Sequence, residues 1–429
     1  MYNEISRCRI CGNPELDPII NLGLQAFTGI FPRSRDQEVP RGPLDLVKCR
    51  QHTETCGLVQ LRHSSDPSLM FGLNYGYRSG LNQSMIQHLA EVARQITERV
   101  HLLPGDLILD IGSNDGTLLR ALNTPGVTLL GMDPTAAKFR QYYPPEAEVI
   151  CDLFSAARFR REYGSRKAKV ITSIAMFYDL ESPLATMQEI ADILADDGIW
   201  VLEQSYLPTM VENNSYDTIC HEHLEYYALA QLEFMAKRVG LTIMDVLLND
   251  TNGGSFLVIV SRRDNHQRRH NRVEETLQAE SSRGYDQMKI YERFRDRVCQ
   301  RKEELRNFLQ QAALDGQKVF GYGASTKGNV LLQFCDITAR ELPMIADVNP
   351  DKFACFTPQS LIPIVAEDEA RSLRPDSFLV LPWHFRQFII AREQQFLSHG
   401  GRLVFPLPNL EVTARASDTT VGASASALS

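Results

Sequence analysis

The chain has 429 residues, 43% of them apolar and 23% charged, the composition of a soluble globular protein with about two to four domains. Its 45 basic and 53 acidic side chains leave a formal charge of −8, which argues against a basic footprint on nucleic acid. No apolar run is long enough to cross a bilayer, no signal-peptide pattern opens the chain, and nine cysteines without framework spacing point to reduced or metal-bound thiols in the cytoplasm.

The first motif is Cys8-Arg-Ile-Cys11-Gly12, a C-x2-C knuckle that turns both thiolates toward one point. Cys49 and Cys56 form a second pair with six residues between them. Four thiolates in two pairs predict a closed, tetrahedral zinc site of architectural role. His52 lies in the longer loop and could replace one cysteine; four free thiols are the alternative. A Gly-punctuated stretch over 74–82 carries Tyr75 and Tyr77 ahead of a helix expected over 84–100. Their hydroxyls could reach a ligand pocket, or their rings could pack between domains.

The apolar run 107–111, broken only by Asp110, predicts a buried parallel strand. Gly112, Ser113, Asn114, Asp115 and Gly116 follow as a tight loop, and a helix begins at Thr117. A second strand over 127–132 ends at Asp133. Such a loop binds nucleotide-like ligands at the carboxyl end of its strand. It is not the G-x-G-x-x-G of dinucleotide folds. Asp110 and Asp115 suit the cationic amino-acid end of S-adenosylmethionine (SAM), and Asp133 could accept both ribose hydroxyls. A Rossmann-like turn without ligand is the plainer reading. Further strands are expected over 148–151, 168–173, 198–204, 241–248 and 254–260. Ser173, Asp179 and the pair Glu203-Gln204 then fall at strand ends, in the ligand crevice, with Ser173 grouped with the cofactor residues.

The densest chemistry is D-T-I-C-H-E-H-L-E-Y-Y over 217–227. A metal site, a structural polar network and acid–base work all fit His221, Glu222 and His223. H-E-H-L-E is not the H-E-x-x-H of zinc hydrolases, and histidine titrates near neutrality, so acid–base work is favoured. The interleaved Arg and Glu of 262–312 read as long solvated helix. A third α/β unit follows. After a strand over 318–322 comes Gly321, Tyr322, Gly323, Ala324, Ser325, Thr326, Lys327, Gly328 and Asn329, a loop whose amides, hydroxyls and lysine make an anion cradle. Asp347 ends the next strand, where an acid would hold a ribose or sugar hydroxyl; His384 and Arg386 follow a later strand and could meet a base or phosphate. The Ala- and Ser-rich segment 411–429 is expected to be an unfolded tail.

In this order the motifs resemble the sugar C-methyltransferase family, whose members methylate nucleotide-linked 4-keto-6-deoxyhexoses, usually at C-3. The resemblance covers nearly all of 8–410. It implies an α/β chain with a zinc-binding module (1–72), a class I SAM methyltransferase domain of Rossmann-like fold (73–265), and a helical linker with a C-terminal Rossmann-like, nucleotide-sugar-binding domain (266–410). By position, Cys8, Cys11, Cys49 and Cys56 match the zinc ligands, and 110–116 with Asp133 match the SAM site. His223 matches the catalytic base, Glu222 its partner, and Tyr75 or Tyr77 an active-site tyrosine. The C-terminal loop matches the diphosphate site. Cys220 stands where many members have tyrosine, and Asp179 near where many have histidine, so both join the catalytic candidates. The expected partner is a nucleotide-diphosphate sugar, with no nucleic acid, no membrane and a monomeric chain. An O- or N-methyltransferase on such a sugar, or a SAM-binding module that recognises RNA or protein, are the competing readings.

Overall fold

A computed structural model describes residues 2–70, 77–263 and 268–414. Two parallel sheets dominate it, and each starts from one of the Gly-loop stretches. Leu107–Ile111 is buried along its whole length, as an apolar strand covered on both faces must be. Its seven-stranded sheet runs Leu241–Asn249, Ser255–Arg262, Leu194–Ser205, Ala168–Ile174, Leu107–Ile111, Thr128–Met132, Glu148–Ile150. The five strands from Leu194–Ser205 onward are parallel, while Ser255–Arg262 and Leu241–Asn249 add as an antiparallel hairpin. The strand order reverses between Leu107–Ile111 and Ala168–Ile174. A ligand crevice therefore opens at the loop after Ile111.

The second sheet has six strands in the order Ile364–Ala366, Ile345–Asp347, Val319–Tyr322, Ser377–Val380, Arg402–Phe405, Glu411–Thr413. It repeats the plan of the first: one central strand, two strands laid outward on one side, then a return to the other side. All pairs are parallel except the last. That last strand lies inside the segment expected to be an unfolded tail. Its register with Leu403, Val404 and Phe405 supplies the backbone partners that composition alone did not reveal. Residues 415–429, the rest of that expected tail, lie outside the described residues.

The N-terminal module is a long hairpin of Leu16–Ala26 and Arg41–Cys49, extended by Val59–Leu61 and then by Glu225–Tyr226. The fourth strand comes from the histidine-rich segment, so that segment is stitched into the cysteine module's sheet. Two residues are too short to read as a strand from periodicity. The knuckle side chains Cys8, Ile10, Cys49, Cys56 and Leu58 share one apolar core with the first parallel sheet. The hairpin side chains Ile19, Leu22, Leu44 and Leu46 share another with Tyr216, Ile219, Cys220 and the second parallel sheet. Two helices, Asn271–Ser282 and Met288–Leu314, lie between the parallel sheets in sequence. The longer buries Tyr291, Phe294, Val298, Leu305, Leu309 and Ala312 at helical spacing and turns its charges outward. Among the described residues no helix is long and apolar enough to cross a membrane.

Candidate active site

The four cysteines converge. The sulfurs of Cys8, Cys11, Cys49 and Cys56 all lie within 4.8 Å of one another, and three of the pairs are 3.4 to 3.6 Å apart. The edges of a zinc–thiolate tetrahedron are about 3.8 Å for bonds of about 2.3 Å, so these side chains fit the metal. His52 does not take part: it is exposed and its Nε2 meets Glu15 at 2.8 Å. The site is anchored on the first parallel sheet's domain, because Gln231 in helix Leu229–Arg238 donates to the Cys56 carbonyl at 2.9 Å.

The loop after Leu107–Ile111 is held from three sides. Gly112 and Gly116 both have φ of 72°, a conformation that favours glycine, and a Cβ on Gly116 would meet the Tyr143 ring at 2.7 Å. Asp133 accepts from the Asn114 amide at 2.8 Å and from the Thr135 amide at 2.6 Å. Ser113 and the Asn114 carbonyl both meet the Tyr143 hydroxyl. Asp115 accepts from the Thr117 amide and hydroxyl and from the Gly80 amide, with the Arg78 guanidinium 3.6 Å away. Asn114 reaches the same strap, bonding the Tyr77 carbonyl and the Ser79 amide. Tyr77 thus touches the loop through its backbone, with its ring half exposed; Tyr75 lies outside the described residues. Asp110 is buried beneath, bonded by Thr172 at 2.6 Å. Burial pushes its carboxyl up to about 7, and the nearby charge of Asp133 adds to this. Ser173 faces the core, where it accepts from Trp200 at 2.9 Å.

Of the pair closing the fifth strand, Glu203 is taken by His88 at 2.5 Å and Asn249 at 2.9 Å. Gln204 is different. It is 2% exposed, and both amide atoms lack partners among the described residues. A buried donor and acceptor left open at a strand end fit a polar ligand such as the amino-acid part of SAM.

Beyond this crevice lies the 217–227 segment, tied to the sheet by the Leu224 amide on the Tyr178 carbonyl at 2.9 Å. His223 packs on Tyr178 with ring centroids 4.3 Å apart. Its Nδ1 meets the Thr218 carbonyl at 3.0 Å. A carbonyl can only accept, so Nδ1 carries the proton and Nε2 is left with a lone pair. The group that orients the ring is therefore a backbone carbonyl, where Glu222 had been expected. Burial, helped by the Lys327 charge and opposed by the Thr218 carbonyl, lowers His223 to about 4, so the ring is neutral at ordinary pH. Glu222 turns to the Cys220 thiol, near Asp179. Burial, then Glu222 and Glu225, push Asp179 well above the usual carboxylate range. His221 points the other way, into the hairpin, where its Nε2 meets the Gly42 carbonyl at 3.0 Å.

From the opposite side comes the C-terminal loop. Lys327 donates to the Asn252 carbonyl at 2.7 Å, in the loop between the last two strands of the first sheet. Its charge is felt by Asp217, His223 and His384. Trp383 donates to Asp217 at 2.8 Å. Asp347 accepts from the Ala324 and Asn349 amides, each at 2.7 Å. His384 is half-buried, with Nδ1 unpartnered among the described residues.

Several expected cradle residues serve other ends. Ser325 caps its own helix, accepting from Gly328. Tyr322 bonds Glu393 and Arg392. Arg386 pairs with Glu411 and lies over the Phe405 ring. Asn329 donates to the Thr28 carbonyl in the N-terminal hairpin. Gly321, Gly323 and Gly328 leave room for Ile345, Pro382 and Leu381, so the glycines serve packing. Sequence reading passed over Thr218, Tyr178 and Asp217 as site members. Their signal was position, since Asp217 and Thr218 lie within the histidine segment and Tyr178 directly precedes Asp179.

Three family models match in chain order: a zinc binding domain over 8–71, a methyltransferase domain over 85–246 and a C-methyltransferase C-terminal domain over 250–408. The C-methyltransferase NovU of Streptomyces niveus is 31% identical over 416 residues, covering 96% of this chain and 98% of NovU. Among solved structures, magnesium protoporphyrin IX methyltransferase (ChlM) from Synechocystis PCC 6803 is 16% identical, with a TM-score of 0.32 over 41% of this chain and 79% of that one. A SAM-dependent methyltransferase from Clostridium acetobutylicum is 14% identical, with a TM-score of 0.31 over 41% and 92%. The chain belongs to the SAM-dependent C-methyltransferases that carry an N-terminal zinc binding domain.

Proposed function

We propose that the substrate is a nucleotide-linked 4-keto-6-deoxy sugar, methylated on carbon 3 through an enolate, in the making of a branched deoxysugar. The observation that carries this is His223: neutral, held at Nδ1 by the Thr218 carbonyl, and left with Nε2 as a proton acceptor. A C–H beside a ketone is acidic enough for a positioned imidazole to remove. Bound SAM supplies the electrophilic methyl group. Lys327, whose charge reaches His223, favours both the neutral base and the anion formed beside it. The nucleotide diphosphate is assigned to the first amides of helix Thr326–Phe334. Lys352 adds positive charge there, 3.9 Å from Asp347. With SAM in one crevice and the sugar held by the other domain, the reacting carbons meet at the histidine segment.

The test is incubation with SAM and a panel of nucleotide 4-ketosugars, followed by proton NMR of the product. A methyl signal at the shift of a carbon-bound group supports this reading. A methyl on oxygen or nitrogen, or no sugar product at all, overturns it.

A further inference from the structure

The metal module grips the histidine segment at both of its ends. At the metal end, Arg9 stands between Cys8 and Ile10 in the knuckle. It donates to the Leu61 carbonyl at 2.6 Å and to Ser64 at 2.7 Å, and lies 3.7 Å from the Glu225 carboxylate. Glu225 is 1% exposed, with neither oxygen hydrogen-bonded among the described residues; burial pushes its carboxyl well above the usual range, and the Arg9 guanidinium, which also lies 3.6 Å from Glu181, is the cation beside it. At the far end, the hairpin strand Leu16–Ala26 runs on into Phe27, Thr28 and Gly29. Phe27 and Thr28 are wedged between the histidine segment and helix Thr326–Phe334. On one side the Phe27 ring lies 4.6 Å from that of His221, which donates to the Gly42 carbonyl. On the other, Asn329 donates to the Thr28 carbonyl, and Gln333 exchanges two hydrogen bonds with the Ala26 backbone at 2.7 and 3.2 Å.

Phe27 and Thr28 are buried, but Gly29 is exposed. A Cβ built on Gly29 would find one atom within 4 Å among the described residues, Glu222 Oε1 at 3.5 Å. Its backbone is not left-handed, so conformation does not require glycine there. The position borders the carboxylate next to His223, and no other described residue comes within 4 Å of that Cβ.

We propose that the zinc module forms one wall of the sugar pocket. Gly29 keeps open the place beside Glu222 that the sugar ring enters, and His221 is a positioning residue that locks the catalytic segment to this wall. The proposal rests on the sugar-methylating reading above. The size of the residue at position 29 then selects which ring substituents are admitted on the Glu222 side.

Two measurements on the full, metal-loaded chain test it. The first compares Gly29→Val with the unmodified enzyme on dTDP-4-keto-6-deoxyglucose and the other 4-ketosugars of the panel. Unchanged SAM affinity and melting temperature with kcat/KM lowered about tenfold or more supports the wall. A variant as active as the unmodified enzyme on every sugar overturns it. The second follows amide hydrogen exchange of 217–227 in His221→Gln. The wall predicts exchange faster by about tenfold there, with Leu107–Ile111 and Val319–Tyr322 unchanged. Unaltered protection of 217–227 overturns the positioning role. If the unmodified enzyme methylates no sugar of the panel, the substrate reading fails, and the exchange measurement alone decides the wall.

Discussion

In both parallel sheets the acid that ends the second strand clamps the loop that follows the first. Asp133 accepts from Asn114 in one loop and from Thr135 two residues on. Asp347 accepts from Ala324 and from Asn349 in the same arrangement. The surroundings differ. Asp110 and Asp115 line the first loop, while Lys352 and Lys327 flank the second. An acid at this position is thus a loop fastener first, because backbone amides turned outward at a strand end need an acceptor. The charges around it differ with the ligand proposed for each loop: negative where the cationic end of SAM is proposed to bind, positive where a diphosphate is proposed.

The largest expected effect lies outside both loops, in the module packed against each of their domains. Structural zinc in small domains contributes roughly 10–16 kcal/mol of apparent binding energy. Cys11→Ser should lower metal content below about one ion per chain and lower the melting temperature steeply. Metal analysis and calorimetry check this, and a metal-free chain of equal stability would contradict it.

Next in size is the group held between the two loops. His223→Asn should slow methylation by about a hundredfold to ten-thousandfold, as loss of a general base does. Both ligands should bind as before. Because burial holds His223 near 4, the acid limb of kcat/KM should fall close to pH 4 rather than near 6.5. The folded chain should also lose stability as pH falls from about 6.5 toward 4, because the unfolded imidazole takes up a proton that the buried ring does not.

Exchanging the two fasteners sharpens the contrast between the loops. Asp133→Ala should weaken SAM binding, at roughly 1.5–3 kcal/mol per charge-assisted bond lost. Asp347→Ala should leave SAM affinity unchanged and weaken nucleotide-sugar binding instead. Titration calorimetry with each ligand reads both, and equal loss of SAM affinity in the two variants would erase the distinction. The smallest effect concerns Asp110. Its carboxyl lies near 7 in the free protein, and a bound cation favours the ionised form. SAM affinity should therefore rise with pH toward 7 and then level, by at most about tenfold per unit. Asp110→Asn should flatten that profile.

Much of the fold could be read from the chain because its strands are apolar runs ended by Gly and Asp, as at 107–116 and 319–324. The four zinc ligands were legible from paired spacing. The roles of individual polar residues were less so. Ser325, Asn329 and Arg386 have the right chemistry for phosphate, yet a helix cap, the Thr28 carbonyl and Glu411 hold them. The Asn329–Thr28 pairing joins residues 301 positions apart, and no local pattern encodes it. The same holds for Glu225–Tyr226 as a strand of the cysteine module, and for the Thr218 carbonyl that orients His223.

As the proposed base, His223 removes a proton beside a sugar ketone between the two ligand loops. The direct measurement is exchange of that proton with deuterated water, followed by NMR, for a nucleotide 4-ketosugar bound to the unmodified enzyme and to His223→Asn in the presence of S-adenosylhomocysteine. Exchange is expected in the unmodified enzyme and its loss in the variant, with both still binding the sugar. Equal exchange rates in the two would remove His223 as the base.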